Sequence, residues 1–307
     1  MVEEEIKTPD AGEEGEGEVL VRPKKAPVPE LVVKPSETLK TIAAALDRLR
    51  ADRPLVACLT NFVTAPFVAD GVFALGASPF MVMDSGEATT LATKCGALLL
   101  NVGTVDRAQG EAMRAAVARA NAGAHPWVLD PEGVGALPMR TYLARELMRR
   151  FPAVIRGNAS EILVLAGVPG AENGGLGVES TAKPEDVLAE ARRLAQVTHA
   201  AVVVSGKVQY VCGENAPVVA VMNGEAQMAR ISGTGCLHAA VAAAFLAALG
   251  SKERFTAALA ASLVCGLAGE RAASAKGPGS FKVAFLDALN ALTGADITKS
   301  GKLEVVK

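Results

Sequence analysis

The sequence predicts an α/β protein built on a mostly parallel sheet with helices against both faces. Three observations predict it. From Ser36 onward, short apolar runs alternate with longer amphipathic segments, the rhythm of strands joined by crossover helices. Half of the residues are apolar but only 4% are aromatic, so alanine, valine and leucine must fill the core. That mix suits helices packed on a sheet better than a β-sandwich. Several runs also end directly in a polar or glycine-bearing turn: Asn101-Val102-Gly103-Thr104, Asp130-Pro131-Glu132-Gly133, Arg156-Gly157-Asn158 and Ser205-Gly206. Parallel strands would gather these turns along one edge, where open α/β sheets bind their ligands.

Taken in order, 36–50 is a helix. The apolar run 55–59 is a strand, followed by helix 62–75. Strand 79–82 leads to helix 87–94, and the leucine-rich run 97–101 to helix 107–122. Strand 127–129 precedes helix 139–151, and strand 154–156 follows. Helix 183–198 brings the chain to the valine run 201–205 and then to strand 209–212. The last three helices are 235–249, 254–275 and 277–292. The first of these is alanine-rich and almost wholly apolar, which marks a buried helix. It is shorter than the roughly 18 apolar residues a membrane span needs, and it contains His238. No internal repeat or boundary interrupts the body, so 36–307 reads as one domain.

Residues 1–35 stand apart. Eight acids and one lysine crowd 3–18, and four prolines share 19–35 with Arg22, Lys24, Lys25 and Lys34. So little apolar surface cannot offset the entropy of ordering, and the segment is expected to be a disordered tail. It matches neither a transit peptide nor a secretory signal. The net charge of −2 gives no reason to expect nucleic acid or anionic lipid as a partner. Five scattered cysteines without a CxxC pair argue against a disulfide framework or a zinc site, and free thiols favour the cytoplasm.

The strongest local signal is Ser232-Gly233-Thr234-Gly235-Cys236, immediately before the alanine-rich helix. Its glycines allow a tight turn, and the helix start offers unpaired N–H groups and a positive dipole end to an anion. A transferring phosphoryl group would be stabilised there, although no GK[ST] follows and this is not a Walker loop. Cys236 opens the helix, where a thiol is expected to shift toward thiolate and to serve as a base toward a substrate hydroxyl. Aspartate could replace such a base, whereas serine and alanine could not. A cysteine that only packs predicts the reverse order. In Arg156-Gly157-Asn158-Ala159-Ser160-Glu161, Arg156 is a phosphate candidate. Asn158 and Glu161 fit either a helix-capping pair or the organisers of a magnesium ion. Asp130, at a strand end, is a second magnesium candidate.

In order along the chain, these motifs resemble those of the hydroxyethylthiazole kinase family, within the ribokinase-like superfamily. The similarity runs from about residue 40 to 296. It includes Thr60-Asn61, Ala74-Leu75-Gly76-Ala77-Ser78-Pro79 with Met81, Gly96-Ala97-Leu98-Leu99-Leu100-Asn101-Val102-Gly103-Thr104 and Leu129-Asp130-Pro131. It continues through Arg156-Gly157-Asn158-Ala159-Ser160-Glu161 and Gly233-Thr234-Gly235-Cys236 to Lys276-Gly277-Pro278-Gly279-Ser280-Phe281. The resemblance implies a three-layer α/β/α sandwich and phosphorylation of 4-methyl-5-(2-hydroxyethyl)thiazole by ATP and magnesium, feeding thiamine phosphate synthesis. It also implies a homotrimer with sites between subunits. Carried over, Met81 and Gly233 would contact the thiazole, and Arg156 and Ser205 would contact ATP. Cys236 takes the slot where many superfamily relatives place an aspartate base. Departures gather in the substrate half: Ala57 for a histidine, Pro66 for an asparagine, and Met83 for a histidine or tyrosine. The family's DPVGAGA stretch stands here as Asp130-Pro131-Glu132-Gly133-Val134-Gly135-Ala136. Two alternatives stay open: a related kinase for another small alcohol, and a non-catalytic binding member.

Overall fold

A computed structural model describes residues 31–173 and 182–306. Positions 1–30 of the expected tail lie outside the described residues. Nearer the body, Leu31 N donates to Asn215 O at 2.7 Å and Pro35 opens the first helix.

The strands are β1 (Leu55–Leu59), β2 (Ser78–Met81), β3 (Ala97–Asn101), β4 (Trp127–Asp130), β5 (Val154–Asn158), β6 (Ala201–Ser205), β7 (Gln209–Gly213), β8 (Ala216–Val221) and β9 (Leu303–Val305). They form one sheet in the order β2-β1-β3-β4-β5-β6-β7-β8-β9. Pairing is parallel from β2 through β6 and antiparallel from β6 through β9.

Because successive strand residues face opposite ways, each strand feeds two cores. Val56, Cys58, Ala97 and Leu99 join one core with helices α1 (Pro35–Asp52), α2 (Ala65–Leu75), α8 (Thr234–Leu249), α9 (Arg254–Ala272), α10 (Pro278–Ala291) and α11 (Gly294–Ser300). Ala57, Leu59, Leu98 and Leu100 join the other with α3 (Ser85–Leu91), α4 (Arg107–Ala122), α5 (Pro138–Met148), α6 (Ala159–Leu165) and α7 (Leu188–Thr198). The three layers match the expected sandwich. Helix α8 is apolar all round because it is covered all round: it lies between β1, β3 and β4 on one side and α1, α2 and α9 on the others. Among the described residues, no helix is long and apolar enough to cross a membrane.

Element edges shift where side chains decide them. Helix α2 starts at Ala65 rather than at 62, because Asn61 Oδ1 accepts from Thr64 N at 3.0 Å and holds a turn ahead of it. The helix expected over 183–198 opens with a 3₁₀ turn at Pro184–Val187. Strands β8 and β9 and helix α11 were not foreseen. The first belongs to a hairpin in which Gly213 pairs with Ala216 across a two-residue turn, and the second is a three-residue strand that, among the described residues, pairs with β8 alone.

Arg50 ties three helix ends together. Its guanidinium donates to Leu75 O (3.1 Å), Leu292 O (2.7 Å), Leu289 O (3.0 Å) and Asn290 O (3.0 Å), so carbonyls left open where α2 and α10 stop gain a charged partner. Arg50→Ala is expected to cost about 2 kcal/mol, the scale of charge-assisted hydrogen bonds. Urea unfolding measures it, and an unchanged midpoint would contradict this role.

Candidate active site

In the order β2-β1-β3, the connections out of β1 and β3 diverge. That seam is the topological switch point of the sheet, and it leaves a crevice at the carboxyl ends of the strands. Asn61, just past β1, and Asn101, the last residue of β3, stand on its two sides. Asn61 Nδ2 donates to Asn101 Oδ1 at 3.1 Å, and Gly103 N donates to the same oxygen at 2.9 Å. The two amides are thus locked.

They hold a carboxylate cluster. Asn101 Nδ2 donates to Asp130 Oδ2 at 2.5 Å and to Glu132 Oε2 at 3.0 Å, and Asn61 Nδ2 donates to Glu132 Oε2 at 2.9 Å. The thiol of Cys236, entering from α8, donates to the same Glu132 oxygen at 3.1 Å. Asp130 is 1% exposed, and burial raises its carboxyl pKa to about 8, with Glu132 and Glu161 adding to the rise while Arg156 and Asn101 oppose it. Burial likewise raises the pKa of Glu161.

Arg156, in β5, faces this cluster, with Nη1 at 3.9 Å from Asp130 Oδ1. The guanidinium also lies against the glycine turn: a Cβ on Gly235 would fall 2.6 Å from Arg156 Nη1. Only glycine lets the backbone come so close. Gly233 serves differently. It adopts φ +94°, and a Cβ there would meet Thr64 at 2.9 Å. The turn therefore presents helix-start N–H groups beside a cation, as an anion site requires.

The expected shift of Cys236 toward thiolate is overturned. Burial pushes this thiol well up from its ordinary range, and Asp130 and Glu132 push it further. A helix N-terminus contributes roughly 0.3–2 kcal/mol toward an anion. Desolvation together with two neighbouring carboxylates exceeds that. His238, one turn into α8, offers no base either: burial holds it well below its usual range, and its Nε2 lies 3.2 Å from Ser262 Oγ.

The capping function of Glu161 is present. Its Oε2 accepts from Asn158 N at 2.8 Å, its N donates to Asn158 Oδ1 at 2.9 Å, and its Oε1 accepts from Gly133 N at 3.0 Å. It thereby pins the Asp130–Gly133 turn to the start of α6. The donor set fits a divalent cation. Asp130, Glu132 and Glu161 face one arginine, and Asp130 Oδ1 is buried without a hydrogen-bond partner among the described residues. The tighter group of possible ligand atoms is Asp130, Glu132 and Cys236, whose thiol suits magnesium poorly.

A family model, the hydroxyethylthiazole kinase family, matches residues 46–295. The chain belongs to that family. It is 43% identical to the hydroxyethylthiazole kinase of Tolumonas auensis over 261 residues, covering 84% of this chain and 96% of that protein. With the same-named protein of Klebsiella pneumoniae the identity is 48% over 245 residues, covering 78% and 91%. The solved hydroxyethylthiazole kinase of Pyrococcus horikoshii superposes with a TM-score of 0.79 at 35% identity, covering 87% of this chain and all of that one. A ribokinase-like protein of Enterococcus faecalis, 14% identical with a TM-score of 0.57, shares the fold.

Against the family pattern, the structure brings together Asp130, Arg156, Glu161, Gly235 and Cys236. Gly233 touches the same turn from the α2 side. Ser205 ends β6 in register with Asn158, its Oγ donating to Gly157 O at 3.1 Å. Met81 ends the outermost strand β2, half-buried against the α8 side of the sheet. Of the departures from the family's motifs, Ala57 is fully buried in the core while Met83 is 58% exposed. Glu132 escaped notice as a site residue. Its sequence signal was its place two positions after Asp130 at a strand end, but its partner Cys236 lies 104 positions away.

Proposed function

We propose that this protein transfers the γ-phosphoryl group of ATP to the hydroxyethyl group of 4-methyl-5-(2-hydroxyethyl)thiazole in the cytoplasm, feeding thiamine phosphate synthesis. One observation carries the proposal: in a chain of this family, Arg156, the Gly233–Cys236 turn and the Asp130–Glu132 carboxylates meet at the switch point of the sheet. Phosphoryl transfer needs little covalent help from a protein. It needs charge stabilisation and alignment. Arg156 supplies a planar fork for phosphate oxygens, and the turn supplies backbone donors to the same group. Ser205, at the end of β6, contacts ATP. Met81 and Gly233 contact the thiazole, bringing its hydroxyl to Cys236.

Magnesium would be held by Asp130, with Glu161 behind it, and when bound it neutralises phosphate charge. The sites lie between subunits of a homotrimer. Exposed Phe62, Val63, Phe80 and Met83 support this arrangement, since they flank the substrate end of the sheet with apolar surface.

A coupled ADP-release assay with the thiazole alcohol, ATP and magnesium tests the activity, with pyrimidine and sugar alcohols run in parallel. Expected is turnover of the thiazole alcohol well above every other acceptor. Preference for another alcohol would instead trace to Ala57, Pro66 and Met83, and no turnover of any acceptor would favour a non-catalytic member.

A further inference from the structure

We infer that the Thr64 hydroxyl hydrogen-bonds the hydroxyl of the acceptor alcohol at the start of α8, and so helps to select the acceptor. The inference rests on the phosphotransfer activity proposed above and names a substrate contact of that site.

The first argument is where hydrogen-bonding capacity is left over. Among the described residues, six buried side-chain polar atoms have no hydrogen-bond partner. Five of them surround the crevice: Asp130 Oδ1 and Arg156 Nε on β4 and β5, and Thr60 Oγ1, Thr64 Oγ1 and Thr104 Oγ1 in the connections leaving β1 and β3. A buried polar atom without a partner costs stability. Such atoms gathered at one edge mark a place built for a polar ligand.

Thr64 is also excused from its local duty. It immediately precedes α2, where threonine ordinarily caps a helix by accepting an N–H of the first turn. Its side chain makes no such bond. Pro66, second in the helix, has no N–H to offer. The residue is fixed instead through its backbone, with Thr64 N donating to Asn61 Oδ1 at 3.0 Å. Its hydroxyl is surplus to the fold.

Placement is the third argument. Thr64 is 3% exposed and borders both Gly233 and Cys236. A Cβ on Gly233 would fall 2.9 Å from Thr64 Cβ and Cγ2, so the methyl packs on the glycine. In a β-branched side chain that contact restricts the rotamer and aims the oxygen. The hydroxyl stands near the Cys236 thiol and opposes the rise in its pKa. Sulfur is a weak acceptor, and Cys236 Sγ is already engaged with Asn61 Nδ2 at 3.4 Å and Glu132 Oε2 at 3.1 Å. An alcohol brought to the glycine turn therefore meets in Thr64 Oγ1 a fixed oxygen able to accept and to donate.

Thr64→Val tests this, because it keeps the branched shape and the methyl while removing the oxygen. Expected by calorimetry is about tenfold weaker binding of the thiazole alcohol, the scale of one hydrogen bond. The analogue with an ethyl group in place of hydroxyethyl should bind both proteins within about twofold, since it has no hydroxyl to lose a partner. The KM for ATP should not move, and the urea midpoint should hold or rise because an unpartnered buried hydroxyl is gone. Thr64→Ser, which keeps the oxygen, should bind the alcohol within about threefold of wild type. Valine binding the alcohol as tightly as wild type would overturn the inference. An equal loss with the ethyl analogue would also overturn it, by making Thr64 a packing residue. So would a lowered urea midpoint, by showing the hydroxyl partnered within the fold. Wild type assayed alongside separates the two levels. If wild type turns over no acceptor, the proposed activity and the inference fail together, whereas an active wild type with an unaltered valine variant refutes the inference alone.

Discussion

Arg156→Ala is expected to lower kcat/KM for ATP by about 10²-fold or more, the cost of removing a donor preorganised toward developing charge. Binding of the thiazole alcohol without nucleotide should change only a few-fold, because the guanidinium faces the glycine turn and Asp130 rather than β2. Arg156→Lys should recover little, since an ammonium lacks the planar fork and cannot lie flat against Gly235. The side chain is also the cation among Asp130, Glu132 and Glu161, and it opposes the rise in the Asp130 carboxyl pKa. Its loss should therefore lower stability at neutral pH as well. Steady-state kinetics and calorimetry on the same preparations decide the matter. Equal losses in nucleotide use and alcohol binding would mean that Arg156 only holds the fold.

The second large effect is expected at Cys236. Read locally, a base at a helix start could be replaced by aspartate and not by serine or alanine. The surroundings reverse this order. Cys236→Asp would add a third carboxylate to Asp130 and Glu132, in a group whose ligand atoms lie within 4.8 Å of one another. Like charges so close cost about 2 kcal/mol or more at a partly buried site. This variant should therefore have the lowest kcat of the three and a clearly lower urea midpoint. Adding Glu132→Val, the residue of the family's own motif, should restore much of its stability. Cys236→Ser and Cys236→Ala should keep kcat within about tenfold of wild type, because a buried thiol that keeps its proton only packs, and positioning and charge stabilisation supply most of the rate of phosphoryl transfer. If the aspartate variant matched wild type while serine and alanine lost about 10²-fold, the thiol would be the base after all.

Most of the architecture could be read from local pattern. Strands β1, β3 and β6 and helix α4 fall at the residues where apolar runs and helical periodicity place them, because those signals lie within the segments themselves. The capping pair Asn158–Glu161 was legible for the same reason: its partners are three residues apart. Strand β9 was not. Three residues carry no periodicity, and Leu303–Val305 becomes a strand only because β8 offers it an edge.

The sequence by itself determined the parallel α/β order, the glycine turn at Gly233–Cys236 opening a buried helix, and the family to which these motifs belong. Each is written in contiguous residues whose backbone preferences and spacing act locally. Only the tertiary structure decided that Glu132 meets Cys236, that Asn61 and Asn101 hold the carboxylate, and that the thiol is driven away from thiolate. Strand register sets those distances, and burial then sets the sign of the shift: the helix dipole legible in sequence is a small term beside desolvation and two nearby charges.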